Sequence, residues 1–211
     1  MSMQKKLLTR GLVMLASFFV VLVVIFSPVF PGKVNGLVYM DNLFNMISKG
    51  SSDFIPKVTE EVEPYENTTI TVSFAMNSEE QAEKTALLFK AGDAEVQVDG
   101  SKLSVQGAMG QILLNSLSDA KTLFQNEADQ LVEKYGYNGR QVLFNWWTAS
   151  KGIVADLNKQ KKFKEAKMFA TLQQKAYEPA YNYYGVEAGN YKDNFWFFRL
   201  KRTFSFEALK C

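Results

Sequence analysis

The sequence predicts an α+β protein that one N-terminal helix holds at a membrane. Three features carry this prediction: an uncharged apolar run near the start, a strand–helix–hairpin–helix pattern in the middle, and helical periodicity in an aromatic-rich last third. Together they divide the chain into five parts. These parts are residues 1–10, 11–31, 33–67, 68–136 and 137–211.

The predicted membrane anchor comprises residues 11–31. The run from Gly11 to Gly32 has no charged side chain, and about 20 apolar residues suffice to cross a hydrocarbon core of ~30 Å. Three basic side chains precede the run and Lys33 follows it, a bias that places residues 1–10 in the cytoplasm. We therefore expect a single pass through a bacterial-type inner (plasma) membrane, with a periplasmic or otherwise extracytoplasmic body. The reversed orientation remains the alternative.

A cleaved signal peptide is the alternative to a retained anchor. Signal peptides have a shorter apolar core and a cleavage site of small residues, whereas this run ends in Pro28, Phe30 and Pro31. The two prolines also favour the end of a helix, because proline lacks the backbone N–H that a helical hydrogen bond needs. The sequence therefore favours an uncleaved anchor.

The composition excludes several classes of chemistry. The chain has no histidine, and its single cysteine is the last residue, Cys211. Ser-His-Asp and Cys-His hydrolysis, histidine-based zinc sites and intramolecular disulfides are therefore excluded. Carboxylate pairs remain available, so a carboxylate-dependent envelope hydrolase stays an alternative. No cofactor or metal motif stands out, and we expect no cofactor and no catalytic site.

Residues 33–67 predict an amphipathic helix followed by an acidic linker. Apolar side chains recur at helical spacing directly after the anchor, at Leu37, Met40, Phe44 and Ile47. Such a helix can lie in the membrane interface or pack on the body, and the sequence favours neither. From Pro56 to Asn67 the chain is acidic, contains two prolines and lacks periodicity, which predicts a linker or an extended cover.

Residues 68–136 predict a small α/β unit. Alternating residues from Thr69 to Phe74 indicate a strand, and Ser78 offers an N-cap for a helix that ends before Gly92. The dipeptide Asp99-Gly100 marks a hairpin, because a type I′ turn needs positive φ angles. These signals predict a strand, a helix and a β-hairpin, in that order.

A second helix is predicted to complete this unit. Apolar residues recur at helical spacing from about Ala108 towards Gly136. Ser118 and Asp119 interrupt the apolar pattern, which predicts a break at that point. The unit thus has the element order βαββα.

This order resembles the histidine-containing phosphocarrier protein (HPr) family of bacterial sugar phosphotransferase systems. The resemblance covers about residues 69–117 and lies in the stretch from Val96 to Gly110, VQVDGSKLSVQGAMG. It implies an open α/β sandwich. The phosphorylated histidine of the family would fall near Met76 or Asn77, and its regulatory serine position holds Gly107. The resemblance therefore implies the scaffold without the phosphocarrier activity, and a fourth strand is not evident.

Residues 137–211 predict a helical hairpin with an aromatic and basic tail. Apolar stripes run through Arg140 to Lys159 and through Lys161 to Tyr177. Two such stripes favour antiparallel packing, with a turn near residues 158–160.

Aromatic side chains concentrate in this last part. Core packing is the default interpretation of these rings, and rings with polar edges also suit ligand pockets and protein interfaces. One carboxylate, Glu178, lies among the tyrosines. The candidate ligand or partner residues are Trp146, Trp147, Tyr177, Glu178, Tyr181, Tyr183, Tyr184 and Trp196.

Lysines also concentrate near the predicted turn. They could contact anionic lipid headgroups, or simply form a solvated helix face. We expect no nucleic acid partner. The candidate basic patch consists of Lys159, Lys161, Lys162, Lys164 and Lys167.

These features favour an interaction role over catalysis. We expect a single-pass, membrane-anchored extracytoplasmic accessory or scaffold protein, with the lipid bilayer and an envelope protein as partners. A membrane-tethered ligand-binding or sensing domain that uses the tyrosine-rich last third is the alternative.

Overall fold

The structure, a computed structural model, describes residues 3–187 and combines helices with one small sheet. The chain divides into two compact units. Of the described residues, those up to Ser48 belong to the first unit and those from Lys49 to Glu187 belong to the second. We call the second unit the body. Tail residues such as Trp196 lie outside the described part.

The first unit contains the predicted apolar helix. Helix α1 runs from Met3 to Phe26, and the most apolar 18-residue window within Gln4–Phe26 has a mean hydropathy of 2.4 and no buried residue. By length and composition it can cross a membrane. Helix α2, Gly36–Ser51, confirms the predicted amphipathic helix, and its last three residues belong to the body.

A three-stranded antiparallel sheet forms the centre of the predicted α/β unit. Strands β1 (Thr69–Ala75), β2 (Glu95–Asp99) and β3 (Lys102–Ala108) lie in the order β1-β3-β2. Side chains of β1 alternate strictly between buried and exposed. The β2–β3 turn contains Gly100 at φ +55°, as the hairpin prediction requires.

Helices complete the predicted βαββα order. Helix α4 (Glu79–Lys90) begins at the predicted cap, where the Ser78 hydroxyl accepts a hydrogen bond from the Gln81 N–H. Helix α5 (Met109–Phe124) follows β3. The order of elements is confirmed, and a relation to the phosphocarrier family stays a prediction.

The prediction of a linker at Pro56–Asn67 is wrong in its first half. Helix α3, Ile55–Glu60, occupies this stretch, followed by a 3₁₀ turn at Glu63–Tyr65. Proline is tolerated in the first turn of a helix because the N–H there has no helical partner. Three apolar side chains of this stretch are buried in the core: Ile55, Val58 and Val62.

The predicted break at Ser118-Asp119 is also wrong. Helix α5 continues to Phe124, and α6 (Ala128–Tyr135) starts after a turn in which Asn126 has φ +66°. The Asp119 carboxylate is buried and accepts hydrogen bonds from other elements. A polar residue whose hydrogen bonds are satisfied by tertiary contacts does not need to end a helix.

The last described elements form the predicted helical hairpin. Helix α7 runs from Gly139 to Lys159 and α8 from Phe163 to Leu172, with the turn two residues later than predicted. A π-helical turn, Gln173–Tyr177, then leads into the short helix α9, Glu178–Asn182.

Helix α7 also packs on the sheet at its β1 edge. Gly152 lies so close to Phe74 that an added Cβ would be 2.5 Å from the Phe74 Cβ. Asp156 accepts a hydrogen bond from the Ser73 N–H, and the Gln160 amide donates one to the Thr71 carbonyl. These side chains satisfy backbone groups that an edge strand would otherwise leave open.

Candidate functional site

An aromatic groove of about 300 Å³ lies between α7 and the α9 region. Apolar and aromatic side chains form most of its wall, and a carboxylate and an amide supply its polar groups. Such clefts are the usual form of a ligand or partner site. The lining residues are Leu143, Phe144, Trp147, Tyr177, Glu178, Tyr181 and Asn182.

Local sequence explains both walls of the groove. Phe144 and Trp147 are three residues apart on α7, so they share one face of that helix. On the other wall the π-helical turn precedes Pro179, whose ring crowds the carbonyl of the residue four positions earlier in a regular helix. A widened turn relieves that conflict. It leaves Tyr177 buried while Glu178 is exposed at the groove.

Trp147 lines the groove and is held from several sides. Its indole Nε1 donates to Glu178 Oε1 at 3.0 Å, and Gln173 Nε2 donates to the Trp147 carbonyl at 2.9 Å. The Phe144 ring stacks on it with 6.2 Å between centroids. The Lys151 ammonium lies 3.5 Å from its ring centroid, a cation–π contact. The indole is therefore positioned before any ligand binds.

Two exposed cations flank the groove. The Arg140 guanidinium lies 4.6 Å from the Tyr181 ring centroid and 5.9 Å from that of Tyr184. Lys151 lies over Trp147 at the other end. The two positions are 11 residues apart on α7, which corresponds to roughly 16 Å along the helix axis. The groove thus has an apolar floor, the Glu178 carboxylate in its wall and two positive charges on its flanks.

Tyr177 lines the groove although its side chain is almost fully buried. Its hydroxyl donates to Ser116 Oγ at 2.8 Å. Burial raises the pKa of Tyr177 well above its usual range, although the hydrogen bond with Ser116 partly opposes that shift. The phenol therefore stays protonated at physiological pH. Its ring supplies apolar surface rather than a titrating group.

Trp146 lies in the core instead of the groove. It is fully buried, and its Nε1 donates to Asp119 Oδ2 at 2.8 Å. The Tyr135 hydroxyl donates to the same oxygen at 2.7 Å, and the Lys134 ammonium lies 2.8 Å from Asp119 Oδ1. We call these four residues the Asp119 network. It joins α5, α6 and α7.

The structure brings half of the predicted ligand or partner residues together. Four of them line the groove, while Tyr184 lies beside it under Arg140 and Tyr183 is half-buried against the core. Trp196 lies outside the described residues. The four residues in the groove are Trp147, Tyr177, Glu178 and Tyr181.

Sequence reasoning missed five residues of the site. Leu143, Phe144 and Asn182 line it, and Arg140 and Lys151 flank it. One signal was available, because Phe144 and Lys151 lie three and four positions from Trp147 and so share its face of a helix. No sequence signal pairs that face with Asn182.

The candidate basic patch surrounds the α7–α8 turn. Four of its lysines are exposed and Lys162 is half-buried. Lys161 adopts φ +62° at the turn itself. None of these lysines lines the groove, so the patch is a separate surface of the body.

Comparison of the chain with protein-family models, curated proteins and solved structures gave no match. Within residues 3–187, no group of three or more Asp or Glu side chains is placed to hold a metal ion. The groove and the helix that suits a membrane are therefore the two features that indicate a function.

Proposed function

We propose that the chain is a single-pass, membrane-anchored interaction protein. Its body, held outside the cytoplasm by a retained α1, captures an envelope protein in the aromatic groove. The observation that carries this proposal is the positioned Trp147 in an apolar cleft of about 300 Å³. Tethering raises the effective concentration of body and partner at one membrane surface, so even a moderate affinity suffices.

The groove has the features of a protein-binding hot spot. Trp, Tyr and Arg are the residues that most often dominate binding energy, and Trp147, Tyr181 and Arg140 supply one of each. Because the Trp147 indole is already held by its hydrogen bond to Glu178 and its contact with Lys151, little side-chain entropy is lost on binding. An apolar anchor side chain of the partner would fill the floor.

The flanking cations indicate the charge of the partner segment. Arg140 and Lys151 are exposed on the two ends of the groove. Complementary carboxylates on either side of the apolar anchor would pair with them, which chiefly favours fast and specific association. We therefore expect an acidic segment with an apolar centre.

A small-molecule ligand is the second candidate. The groove volume reaches the lower end of the range for such sites, about 300–1,000 Å³. An aromatic plane could stack on Phe144 or Trp147, and Asn182 offers an amide for polar recognition. This candidate corresponds to a membrane-tethered sensing domain.

Native mass spectrometry of the full chain after gentle detergent extraction tests the proposal. Phe144→Ala removes an exposed ring from the groove, and we expect roughly tenfold less co-purified partner, the effect of losing a modest hot spot. Phe163→Ala is the matched control. It removes an equally apolar exposed ring at the start of α8, outside the groove.

The outcomes separate the candidates. Equal partner yield from both variants would contradict a groove-bound protein. A co-purified small molecule that Phe144→Ala alone releases would favour the sensing candidate. A chain that emerges alone and empty in all forms would count against both.

A further inference from the structure

Helix α2 presents an apolar stripe to its surroundings. Leu37, Met40, Phe44 and Ile47 share one helix face, and each is between 42% and 60% exposed. The stripe is the one predicted from the sequence. Four large apolar side chains along one helix form a continuous surface, and such surfaces mark interaction sites.

The remaining faces of α2 are either buried or polar. Leu43 and Met46 are buried, while Asp41, Asn42 and Asn45 are polar. The Asn45 amide donates to the Asp41 carboxylate at 3.2 Å on the polar face. The helix therefore has a buried face, a polar face and an exposed apolar stripe.

The connection between α1 and α2, residues 27–35, is an ordered corner that holds the start of α2 against the end of α1. Residues Phe30 and Val34 form an isolated antiparallel bridge, and the Phe30 ring stacks on Tyr39 with 5.6 Å between centroids. A Cβ added at Gly36 would lie 3.0 Å from the Phe30 ring and 3.1 Å from the Ile25 carbonyl. The first residue of α2 thus contacts the last turn of α1.

The corner places α2 at a defined depth if α1 crosses the bilayer. Ile25 is the penultimate residue of α1, so it lies at the edge of the hydrocarbon region. Gly36, which packs beside it, lies at that same edge. An amphipathic helix at this level has its apolar residues within reach of the acyl chains and its polar residues within reach of water.

We infer that α2 is an interfacial helix whose stripe of Leu37, Met40, Phe44 and Ile47 inserts into the lipid surface beside the anchor. The occupant of the stripe is the bilayer, because the corner joins the stripe directly to a helix that suits the membrane. This inference is independent of the groove and rests on α1 spanning the bilayer. It gives the chain a second contact with the membrane.

Site-specific fluorescence in lipid nanodiscs tests this inference on the full chain. With Cys211→Ser removing the native thiol, a polarity-sensitive fluorophore is attached at Phe44→Cys or at Asn42→Cys, which lies on the opposite face of α2. Lipids with nitroxide on the acyl chain serve as the apolar quencher, and iodide serves as the aqueous quencher. We expect the label at 44 to be quenched severalfold more by lipid nitroxide than the label at 42, and the reverse with iodide.

A third label separates this inference from the anchor. A label at Leu15→Cys, in the middle of α1, reports whether α1 lies in the bilayer. Strong lipid quenching at 15 with equal iodide access at 42 and 44 would overturn the interfacial helix and leave the anchor intact. Protection at 44 from both quenchers would also overturn it, because that result means the stripe is covered by protein.

Discussion

At the scale of single residues, Asp119 links three helices of the body through one carboxylate. It is a buried carboxylate that receives hydrogen bonds from an indole, a phenol and an ammonium. A buried charge is costly unless it is paired and hydrogen-bonded. The three donors come from α6 and α7, so the network fixes how these helices dock on α5.

Asp119→Asn is expected to destabilise the body by about 2 kcal/mol, within the range of ~1–3 kcal/mol for leaving a buried hydrogen-bonding group unsatisfied. The amide cannot accept all three hydrogen bonds, and it leaves the Lys134 ammonium without its counter-charge. Denaturant unfolding of the full chain in detergent, followed by tryptophan fluorescence, measures the change.

Glu80→Gln is the matched control for Asp119→Asn. Glu80 pairs with Lys84 at 2.6 Å but is exposed, and exposed pairs contribute little. We expect no measurable change from this substitution. Equal stability of the two variants would contradict a stabilising role for the Asp119 network.

At the scale of elements, the contact between α7 and β1 depends on one glycine. Gly152 lets the helix approach Phe74 closely, and the two backbones could not keep this distance with a side chain between them. Asp156 and Gln160, one and two turns further along α7, then reach the edge of β1.

Gly152→Ala is expected to destabilise the body by roughly 1–3 kcal/mol, the range for overpacked cores. Its new methyl would meet the Phe74 side chain, so α7 must move away from β1. The free energy of unfolding from a denaturant titration measures the loss. We also expect faster aggregation, because a displaced α7 exposes the edge of β1.

Gly50→Ala tests whether the effect is specific to the contact. Gly50 is also helical, but nothing lies within 4 Å of an added Cβ. Alanine is favoured over glycine in a helix by about 1 kcal/mol, so this variant should be as stable as the parent or more so. A loss of stability in both variants would point to a general effect of the substitution.

At the scale of the whole molecule, buried tyrosines make the stability of the fold decrease at alkaline pH. Burial raises the pKa of Tyr135 above its usual range, with the Asp119 carboxylate adding to the shift. Burial likewise raises the pKa of Tyr177. Above the unfolded value of 10.0, the unfolded chain loses these protons while the folded chain keeps them. The contribution of these tyrosines to stability is therefore fully present below pH 10.0 and is lost as the pH rises further.

Buried Lys49 acts with the opposite sign. Its ammonium donates to Asn126 Oδ1 and to the Val186 carbonyl, and burial lowers its pKa, partly offset by Glu187. The unfolded chain then binds the extra proton, so the contribution of Lys49 to stability increases with pH up to its unfolded pKa of 10.5. Above pH 10.5 the contribution of Lys49 no longer changes with pH. Of these two effects, only the loss of the tyrosine contribution then changes stability.

The free energy of unfolding above pH 10.5 is expected to fall by about 1.4 kcal/mol per pH unit for each buried tyrosine. Denaturant titrations at a series of pH values, with tyrosinate absorbance as a second signal, measure this slope. Tyr135→Phe should reduce the slope by the contribution of one tyrosine, even though it also lowers stability at neutral pH. An unchanged slope would contradict titration of Tyr135 as its cause.

Much of the fold could be predicted because its signals are local. The alternation in β1, the Ser78 cap and the Asp99-Gly100 turn each depend on residues close in sequence. The α3 helix and the continuous α5 could not be predicted. Asp119 interrupts the apolar pattern of α5, and its burial and hydrogen bonds with α6 and α7 make it compatible with a helix. Helix α3 is short, and the burial of Ile55 and Val58 in the core stabilises it.

The candidate site was predictable only in part for the same reason. Composition marked Trp147, Glu178 and Tyr181 as aromatic or charged residues of one region. It could not separate Trp146 from Trp147, because adjacent residues on a helix differ by about 100° in direction and the core decides which one is buried. The partners on the two walls of the groove are about 30 residues apart.

The sequence by itself determined the apolar helix, the α+β class, the absence of histidine chemistry and the amphipathic pattern of α2, since each depends on composition or short-range periodicity. Only the tertiary structure decided that the α2 stripe is exposed, that α2 starts against the end of α1, and that Trp147 faces Glu178 in a groove. These properties arise from packing between residues far apart in the chain, and local sequence signals carry little information about such packing.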